Sequence, residues 1–274
     1  MPKGHSLHIG LNRVDPQHYR DRFGNPWDGA LAACVFDAQD MQAIADSMGY
    51  TSQILLDDQA TADAVTGAIA QAAEELVPGD IFFLSYAGHG AQVPDTNGDE
   101  EDDMDETWCC FDRQLVDDEL ADLWGKFQPG VRILMLSDSC HSGTVAKDPD
   151  LEQAASGHGA PRVLPADVQA STFRNSKDLY TCLQAQIPPA REAEIGASIL
   201  LLSGCQDNQT SRDGKKNGLF TGTLLDVWSE GNFTGDYVRF WKTISEKMPF
   251  YQSPNYFQSG TPNPEFERQQ PFAI

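Results

Sequence analysis

The sequence is poor in positive charge, and this scarcity limits the partners that the protein can have. Its 274 residues contain 19 Lys and Arg against 41 Asp and Glu, which gives a formal net charge of -22 at pH 7. A field of this sign repels polyanions and attracts cations and basic peptides. We therefore expect no nucleic-acid partner.

The sequence also lacks long apolar runs and C-x-x-C motifs. No segment is long and apolar enough for a signal peptide or a membrane span, so we expect a cytoplasmic protein with no membrane partner. The six cysteines form no C-x-x-C pair and no spacing typical of zinc ligands or of a secreted disulfide scaffold. We expect a single domain over residues 1–274 and a monomer.

Strand-like and helix-like segments alternate along most of the chain. Five short apolar runs have the length and composition of strands, and helical periodicity occurs between them. The predicted strands are 6–11, 51–56, 80–86, 131–137 and 198–203. The predicted helices are 34–48, 61–77, 117–127, 219–229 and 236–247. This alternation favours an α/β fold with a mostly parallel sheet.

Two long stretches interrupt the alternation. Residues 91–116 are acidic, and residues 144–197 carry Gly, Pro, Ser and scattered basic residues. Both are longer than ordinary connections, and long insertions at the carboxyl edge of a sheet usually build sites or flaps. A disordered surface loop is the alternative for the second stretch.

A histidine and a cysteine follow two of the predicted strands. His89 and Cys140 are 51 positions apart, but the ends of two parallel strands can be neighbours across one sheet. A thiol attacks an amide carbonyl as the thiolate, so His89 would act as its base, and amide groups near Gly90 and Cys140 would bind the oxyanion. The alternative is a thiol that only packs in the core and a loop histidine without a catalytic role.

Four blocks, in order along the chain, resemble the caspase-like cysteine peptidases, and the metacaspases in particular. Leu84–Gly90 (LSYAGHG) and Leu136–Gly143 (LSDSCHSG) are similar to their two catalytic signatures. Ala33–Ala38 (ACVFDA) resembles the metacaspase segment beside the substrate pocket. Gly204–Thr210 (GCQDNQT) and Asn217–Thr221 (NGLFT) together resemble the small-subunit region.

The resemblance implies a caspase-type three-layer sandwich, in which a mostly parallel six-stranded sheet lies between helices. It divides the single peptidase domain into a large-subunit-like region, 1–143, an insertion or processing loop, 144–197, and a small-subunit-like region, 198–274. It also implies peptide hydrolysis through an acyl-enzyme, as in prokaryotic or type I-like metacaspases without a prodomain.

The acidic residues near the dyad bear on specificity. Cleavage after Lys or Arg needs a carboxylate in the first specificity pocket, whereas cleavage after Asp needs arginines there. Asp138 lies two residues before the cysteine, on the same side of an extended strand. The resemblance implies that Cys34, Asp37 and Asp138 line a pocket for Arg or Lys, although Ala87 stands where metacaspases commonly have Ser. The alternatives are a solvated residue in the first turn of a helix for Asp37 and a local capping residue for Asp138.

The segment Asp95–Glu106 is a candidate for metal binding. It holds eight carboxylates in twelve residues, a density that repels itself unless it is solvated or bound to cations. An EF-hand is not expected, because Glu100 stands where the sharp turn requires Gly and the loop follows a strand. The resemblance implies activating Ca²⁺ at four carboxylates: Asp105, Asp117, Asp118 and, nearest to the fourth position, Asp148. A solvated acidic loop is the alternative.

Together these features predict a calcium-responsive cysteine endopeptidase that cleaves protein or peptide substrates after Arg or Lys. Ca²⁺ would activate it without entering the covalent chemistry. Such an enzyme could also cut its own insertion, where the sequence leaves the bond open among five basic residues: Lys147, Arg162, Arg174, Lys177 and Arg191. The alternatives are a catalytically silent calcium-sensing module and a caspase-like protease of different specificity.

Overall fold

The computed structural model is built around a six-stranded sheet. It describes residues 1–96, 98, 100, 102–140, 157–187, 195–206 and 209–274. The strands in this part of the chain are β1 (Gly4–Gly10), β2 (Thr51–Leu56), β3 (Ile81–Ala87), β4 (Gly90–Pro94), β5 (Met104–Cys109), β6 (Gln114–Val116), β7 (Arg132–Asp138), β8 (Ser198–Ser203) and β9 (Asn255–Gly260). The large sheet has the order β2-β1-β3-β7-β8-β9. All its neighbouring strands are parallel except β8 and β9.

Helices cover both faces of the large sheet. Those in the described residues are α1 (Cys34–Ser47), α2 (Ala62–Glu75), α3 (Asp117–Trp124), α4 (Ala166–Asn175), α5 (Lys177–Gln186), α6 (Leu219–Trp228), α7 (Tyr237–Lys247) and α8 (Pro264–Arg268). None of them combines the length and the apolar character that crossing a membrane requires.

The apolar residues of the central strands explain why helices lie on both sides. Side chains alternate between the two faces of a strand. In β3, Phe82 and Leu84 pack in a core shared with α2 and α3, whereas Ile81 and Phe83 pack in a second core shared with α1, α6 and α7. The expected three-layer sandwich with a mostly parallel six-stranded sheet is thus confirmed.

The predicted strands and helices are all present, with ends that differ by at most three residues. The sixth strand of the large sheet, β9, was not among the predictions, and it pairs antiparallel with β8. Its residues are only partly buried, with exposed Phe257, so the apolar run typical of a central strand is missing at this edge position.

The two interrupting stretches contain regular structure that periodicity did not predict. In the acidic stretch, β4, β5 and β6 form a separate antiparallel sheet. In the second stretch, α4 and α5 occupy residues 166–186, so a disordered loop is the wrong description of that part. Residues 141–156 and 188–194 lie outside the described residues.

Candidate active site

Two neighbouring strands place His89 and Cys140 at the same edge of the large sheet. Strands β3 and β7 pair in parallel, and their last residues, Ala87 and Asp138, lie opposite each other. His89 and Cys140 each follow two residues later, and both are buried. Both residues therefore lie at the carboxyl edge of the sheet, as the positions of the strands predicted.

His89 is held in one orientation by a backbone carbonyl and an indole ring. Its Nε2 lies 2.9 Å from the carbonyl oxygen of Gly29, and since a carbonyl only accepts, Nε2 carries the proton and donates. The ring of Trp27 packs on the imidazole at 5.0 Å between centroids. Nδ1 is buried and has no hydrogen-bond partner among the described residues.

At neutral pH His89 is in the form that can accept a proton. Burial lowers the pKa of His89 to about 4, and the carbonyl of Gly29 and the backbone of Val163 oppose this shift. The imidazole is therefore neutral at pH 7, with its proton on Nε2 and a lone pair on Nδ1. A neutral imidazole with a free lone pair can accept the proton of a thiol.

The thiol of Cys140 lies in a small buried cluster with Val163 and Cys205. Its Sγ is 2.5 Å from the backbone N–H of Ser211, which donates to it, and 3.7 Å from the Sγ of Cys205. All six cysteines of the chain are free thiols. The sulfur is thus held by a backbone donor contributed by the small-subunit-like region.

Two backbone amides at this edge converge on one carbonyl oxygen. The N–H groups of Gly90 and Cys140 each donate to the carbonyl oxygen of Arg162 at 3.1 Å. Paired N–H donors of this kind stabilise the oxyanion that forms in acyl transfer. Glycine is required at position 90, because a Cβ there would lie 2.0 Å from the carbonyl oxygen of Cys140.

The side chain of Arg162 fills a pocket of three carboxylates, which we call the pocket cluster: Asp37, Asp138 and Asp213. The guanidinium Nη2 is 2.5 Å from Asp37 and 3.0 Å from Asp213, and Nη1 is 2.9 Å from Asp138. Arg162 is 0% exposed. Burial alone would lower its pKa, but the carboxylates, Asp138 foremost, raise it well above its ordinary value.

Asp138 is held by groups from two other segments. Its carboxylate accepts hydrogen bonds from the Thr221 N–H at 3.2 Å, from the Thr221 hydroxyl at 2.7 Å and from the hydroxyl of Ser211. These hydroxyls provide donors that Ala87, on the neighbouring strand, cannot. The carboxylate is oriented by long-range contacts, so the reading of Asp138 as a local capping residue is wrong.

The other two carboxylates are fixed mainly by backbone amides. Asp37 accepts from the side-chain amide of Asn217 and from the N–H of Gly218, both at 3.0 Å. Burial raises the pKa of Asp37 to about 6, and Arg162 opposes the shift. Asp213 accepts from two N–H groups, at 2.7 and 3.2 Å, in the residues just before α1, a position that favours negative charge.

The sequence predicted part of this pocket. Asp37 is 1% exposed, which contradicts the alternative of a solvated residue. Cys34 is also buried, and its pKa, raised by burial, is lowered in part by the charge of Arg162. Asp213 and the occupant Arg162 were missed as pocket residues, because they lie in segments far from both signatures and only chain folding brings them here.

A second group of carboxylates, the loop cluster, comprises Glu100, Glu106 and Asp117. Each offers an oxygen, and these atoms lie within 4.8 Å of one another. Burial raises the pKa of Asp117 to about 9, and the negative charge of Glu106 adds to the shift. Concentrated hard oxygen donors are what Ca²⁺ prefers.

The loop cluster overlaps only partly with the four predicted calcium ligands. Asp117 belongs to both sets. Asp105 is buried and accepts a hydrogen bond from Gln184 at 2.5 Å, and Asp118 is buried at the start of α3. Asp148 lies outside the described residues. The acidic segment Asp95–Glu106 connects β4 to β5, which pair antiparallel. It is therefore not part of a helix-loop-helix EF-hand.

The three-layer fold, with His89 and Cys140 at the carboxyl edge of its sheet, is the arrangement expected of the caspase-like proteins, and comparison with known proteins agrees. Residues 17–272 match the caspase domain family, Peptidase_C14. The chain therefore belongs to the caspase domain family. Its structure is similar to that of protein GSU0716 from Geobacter sulfurreducens, with 49% identity, a TM-score of 0.90 and coverage of 100% of this chain and 99% of the other.

Two further comparisons refine the likeness. Metacaspase-1 of Schizosaccharomyces pombe is 29% identical over 264 residues, which cover 83% of this chain and 59% of that protein. Caspase-1 from Spodoptera frugiperda is similar in fold, with a TM-score of 0.53 at 11% identity over 94% of this chain and 86% of the other. The chain thus spans little more than half of the length of its metacaspase relative.

Proposed function

We propose that the protein is a cysteine endopeptidase that cleaves on the carboxyl side of Arg or Lys. The observation that carries the specificity is the burial of the Arg162 guanidinium among Asp37, Asp138 and Asp213. A pocket with three carboxylates stabilises a basic side chain, whereas an Asp side chain there would add a fourth negative charge and be repelled.

The described geometry supports a dyad of Cys140 and His89. Nδ1 of His89 takes the thiol proton, the thiolate attacks the substrate carbonyl, and the amides of Gly90 and Cys140 stabilise the oxyanion. His89 then donates the proton to the leaving amine, and water hydrolyses the thioester. Gly29, by accepting from Nε2, keeps Nδ1 as the basic atom throughout.

Calcium responsiveness forms part of the proposal. Among the described residues, Glu100, Glu106 and Asp117 would hold the ion. Burial and the negative charge of Glu106 raise the pKa of Asp117, and a bound cation would offset both effects. Bound Ca²⁺ would connect Glu100, after β4, to Glu106 in β5 and Asp117 at the start of α3, without entering the covalent chemistry. A reducing compartment such as the cytoplasm suits the six free thiols.

Peptide reporters that end in Arg, Lys or Asp test the specificity directly. The native protein and Cys140→Ala are incubated with each reporter, in Ca²⁺ and in chelator. We expect hydrolysis after Arg and Lys only, loss of it in Cys140→Ala and stimulation by Ca²⁺. Cys182→Ala is a matched control, because this cysteine is exposed on α5. We expect this variant to retain full activity.

Other results would point to the alternatives. Hydrolysis after Asp contradicts the assignment of the pocket cluster. Equal rates in Ca²⁺ and chelator contradict the calcium proposal and leave the loop cluster a solvated surface. A folded native protein that hydrolyses none of the reporters, before or after prolonged incubation with Ca²⁺, contradicts the peptidase proposal and favours a calcium-sensing interaction module.

A further inference from the structure

We propose that the bond between Arg162 and Val163 is the one that this enzyme cleaves in its own chain. The inference rests on the proposed function and identifies a substrate that the chain itself places in the cleft. Three features of a bound peptide substrate are present at this bond: an extended backbone, a filled specificity pocket and a carbonyl oxygen on the two amides of the oxyanion site.

The residues before the bond form an added β-strand. Segment 160–162 runs antiparallel to segment 211–213, with a bridge between Pro161 and Arg212. Two backbone hydrogen bonds of 2.9 and 2.8 Å join the segments. Strand addition of this kind is a common way to bind an extended peptide, with pockets for its side chains providing specificity.

The side chain and the carbonyl of Arg162 occupy the two places that define the residue before a scissile bond. The guanidinium lies in the pocket cluster. The carbonyl oxygen accepts from Gly90 and Cys140 at 3.1 Å. One residue fills both places, so its carbonyl carbon is the one presented to the nucleophile.

The residues after the bond lie beside the base and the nucleophile. Val163 shares the small buried cluster that contains the Cys140 thiol. Its backbone raises the pKa of His89, so it lies near the group that must protonate the leaving nitrogen. Leu164 donates from its N–H to the carbonyl oxygen of Gly90 at 2.9 Å, which anchors the leaving side.

The other basic residues described in this stretch are poor candidates. Arg174 lies in the last turn of α4, and Lys177 is the first residue of α5. Both are exposed, and their helical backbones are not extended for strand addition. Lys147 and Arg191 lie outside the described residues.

The reaction needs only water besides the chain. The Cys140 thiol gives its proton to His89, and Sγ bonds to the carbonyl carbon of Arg162. The carbon–nitrogen bond to Val163 breaks, and the nitrogen takes the proton from His89. Water then hydrolyses the thioester, which leaves a carboxylate on Arg162, a free amine on Val163 and the thiol of Cys140.

The test follows the appearance of a new amino terminus at Val163. Purified native protein is incubated with Ca²⁺ at several protein concentrations, and the fragments are analysed by intact mass and terminal sequencing. We expect two fragments, the second beginning at Val163, with a half-time independent of protein concentration because the bond is bound intramolecularly. Hydrolysis of an Arg reporter is recorded in parallel and shows a lag that matches the cleavage.

Four variants control for the identity of the bond. Cys140→Ala yields no fragments, and Arg162→Gln slows cleavage on the order of 10⁴-fold because the polar groups of the pocket lose their partner. Arg162→Lys retains cleavage at the same bond. Arg174→Gln, an exposed residue of the same stretch, is cut at the native rate. Thermal unfolding of every variant excludes misfolding as the reason for lost cleavage.

The outcomes separate the two proposals. Hydrolysis of the Arg reporter with an intact Arg162–Val163 bond contradicts the self-cleavage site while the proposed function stands. Cleavage at another bond, or at Val163 in Cys140→Ala, contradicts it too. Loss of both reporter hydrolysis and self-cleavage in the folded native protein contradicts the proposed function itself.

Discussion

The pocket cluster and the loop cluster each gather three carboxylates, but they differ in composition and in burial. In the pocket cluster the chain provides its own cation, since the guanidinium of Arg162 contacts all three side chains. In the loop cluster the atoms that lie within 4.8 Å of one another are all carboxylate oxygens.

Burial differs in parallel with this charge balance. The pocket carboxylates are 1 to 6% exposed, whereas Glu100 is exposed and Glu106 and Asp117 are half-buried. Taking carboxylates out of water is costly unless a cation and hydrogen bonds compensate. The buried cluster therefore depends on the guanidinium that enters it, whereas the more exposed loop cluster is the one for which we propose an ion from solution.

Removing the internal cation should have the largest effect on stability. Arg162→Gln leaves three buried carboxylates without their guanidinium, so we expect the free energy of unfolding to fall by about 3–5 kcal/mol. Denaturant titration of Cys140→Ala, with and without Arg162→Gln, measures the change without self-cleavage. Arg174→Gln in the same background should change it by less than about 0.5 kcal/mol. An equal effect of both substitutions would show that the pocket does not depend on its cation.

Removing one pocket charge should weaken recognition of a basic substrate. Asp138→Asn keeps the shape of the side chain, and we expect kcat/KM for the Arg reporter to fall about 10²-fold, or about 2.7 kcal/mol. Steady-state kinetics on protein that has completed self-cleavage provides the measurement. Asp178→Asn, exposed on α5, is the control and keeps the native value. An unchanged kcat/KM in Asp138→Asn would remove this carboxylate from the specificity pocket.

Binding of Ca²⁺ at the loop cluster should stabilise the folded protein. At a Ca²⁺ concentration of 100 times Kd, we expect the free energy of unfolding to rise by about 2.7 kcal/mol, as measured on Cys140→Ala in Ca²⁺ and in chelator. Asp117→Asn should abolish most of this gain. Asp122→Asn should retain it, because that residue pairs with Lys126 at 2.8 Å on the surface of the same helix. A gain that survives in Asp117→Asn would place the ion elsewhere.

The pH dependence of the unfolding free energy should show the cost of burying the charged carboxylate of Asp37. Burial raises the pKa of Asp37 to about 6, so between about pH 4 and pH 6 the folded protein binds more protons at this residue than the unfolded chain does. This contribution favours folding at low pH and is lost as the pH rises through 6, with a slope of at most about 1.4 kcal/mol per pH unit.

Asp37→Asn in the Cys140→Ala background tests this sign. The unfolding free energies of the background protein and of the Asp37→Asn variant are compared from pH 4 to pH 7, and their difference should change in favour of the variant as the pH rises. Asp178→Asn provides a flat reference. A flat difference for Asp37→Asn as well would mean that Arg162 holds this carboxylate ionised throughout the range.

The sequence predicted the elements of the sandwich because their signals are local. Apolar runs in β3 and β7 and the periodicity of α1 and α6 depend on residues a few positions apart. The edge strand β9 and the small sheet of β4, β5 and β6 were missed, because these strands are short or interrupted by polar residues and lack the continuous apolar run that marks a central strand. The partner of β9 is also remote, since β8 lies more than 50 residues before it in the sequence.

The residues of the candidate site also fall into those that local sequence signals predicted and those that only the folded structure revealed. His89 and Cys140 were found because each follows an apolar strand, and Asp37 and Asp138 because they lie within the family motifs. Asp213 carries no local signal, and neither does the choice of Arg162 among five basic residues of the insertion. Their roles depend on contacts between residues 51 and 125 positions away along the chain.

By itself, the sequence determined the layered α/β fold, the two strand ends that carry His89 and Cys140, and the acidic character of both clusters. Only the tertiary structure showed that the guanidinium of Arg162 is the cation that enters the pocket cluster. A guanidinium on a long connection can reach many carboxylates, and its partner is selected by the whole packing around it: the strand addition of residues 160–162, the amides that hold its carbonyl, and Gly218, where a Cβ would lie 2.6 Å from the Arg162 side chain.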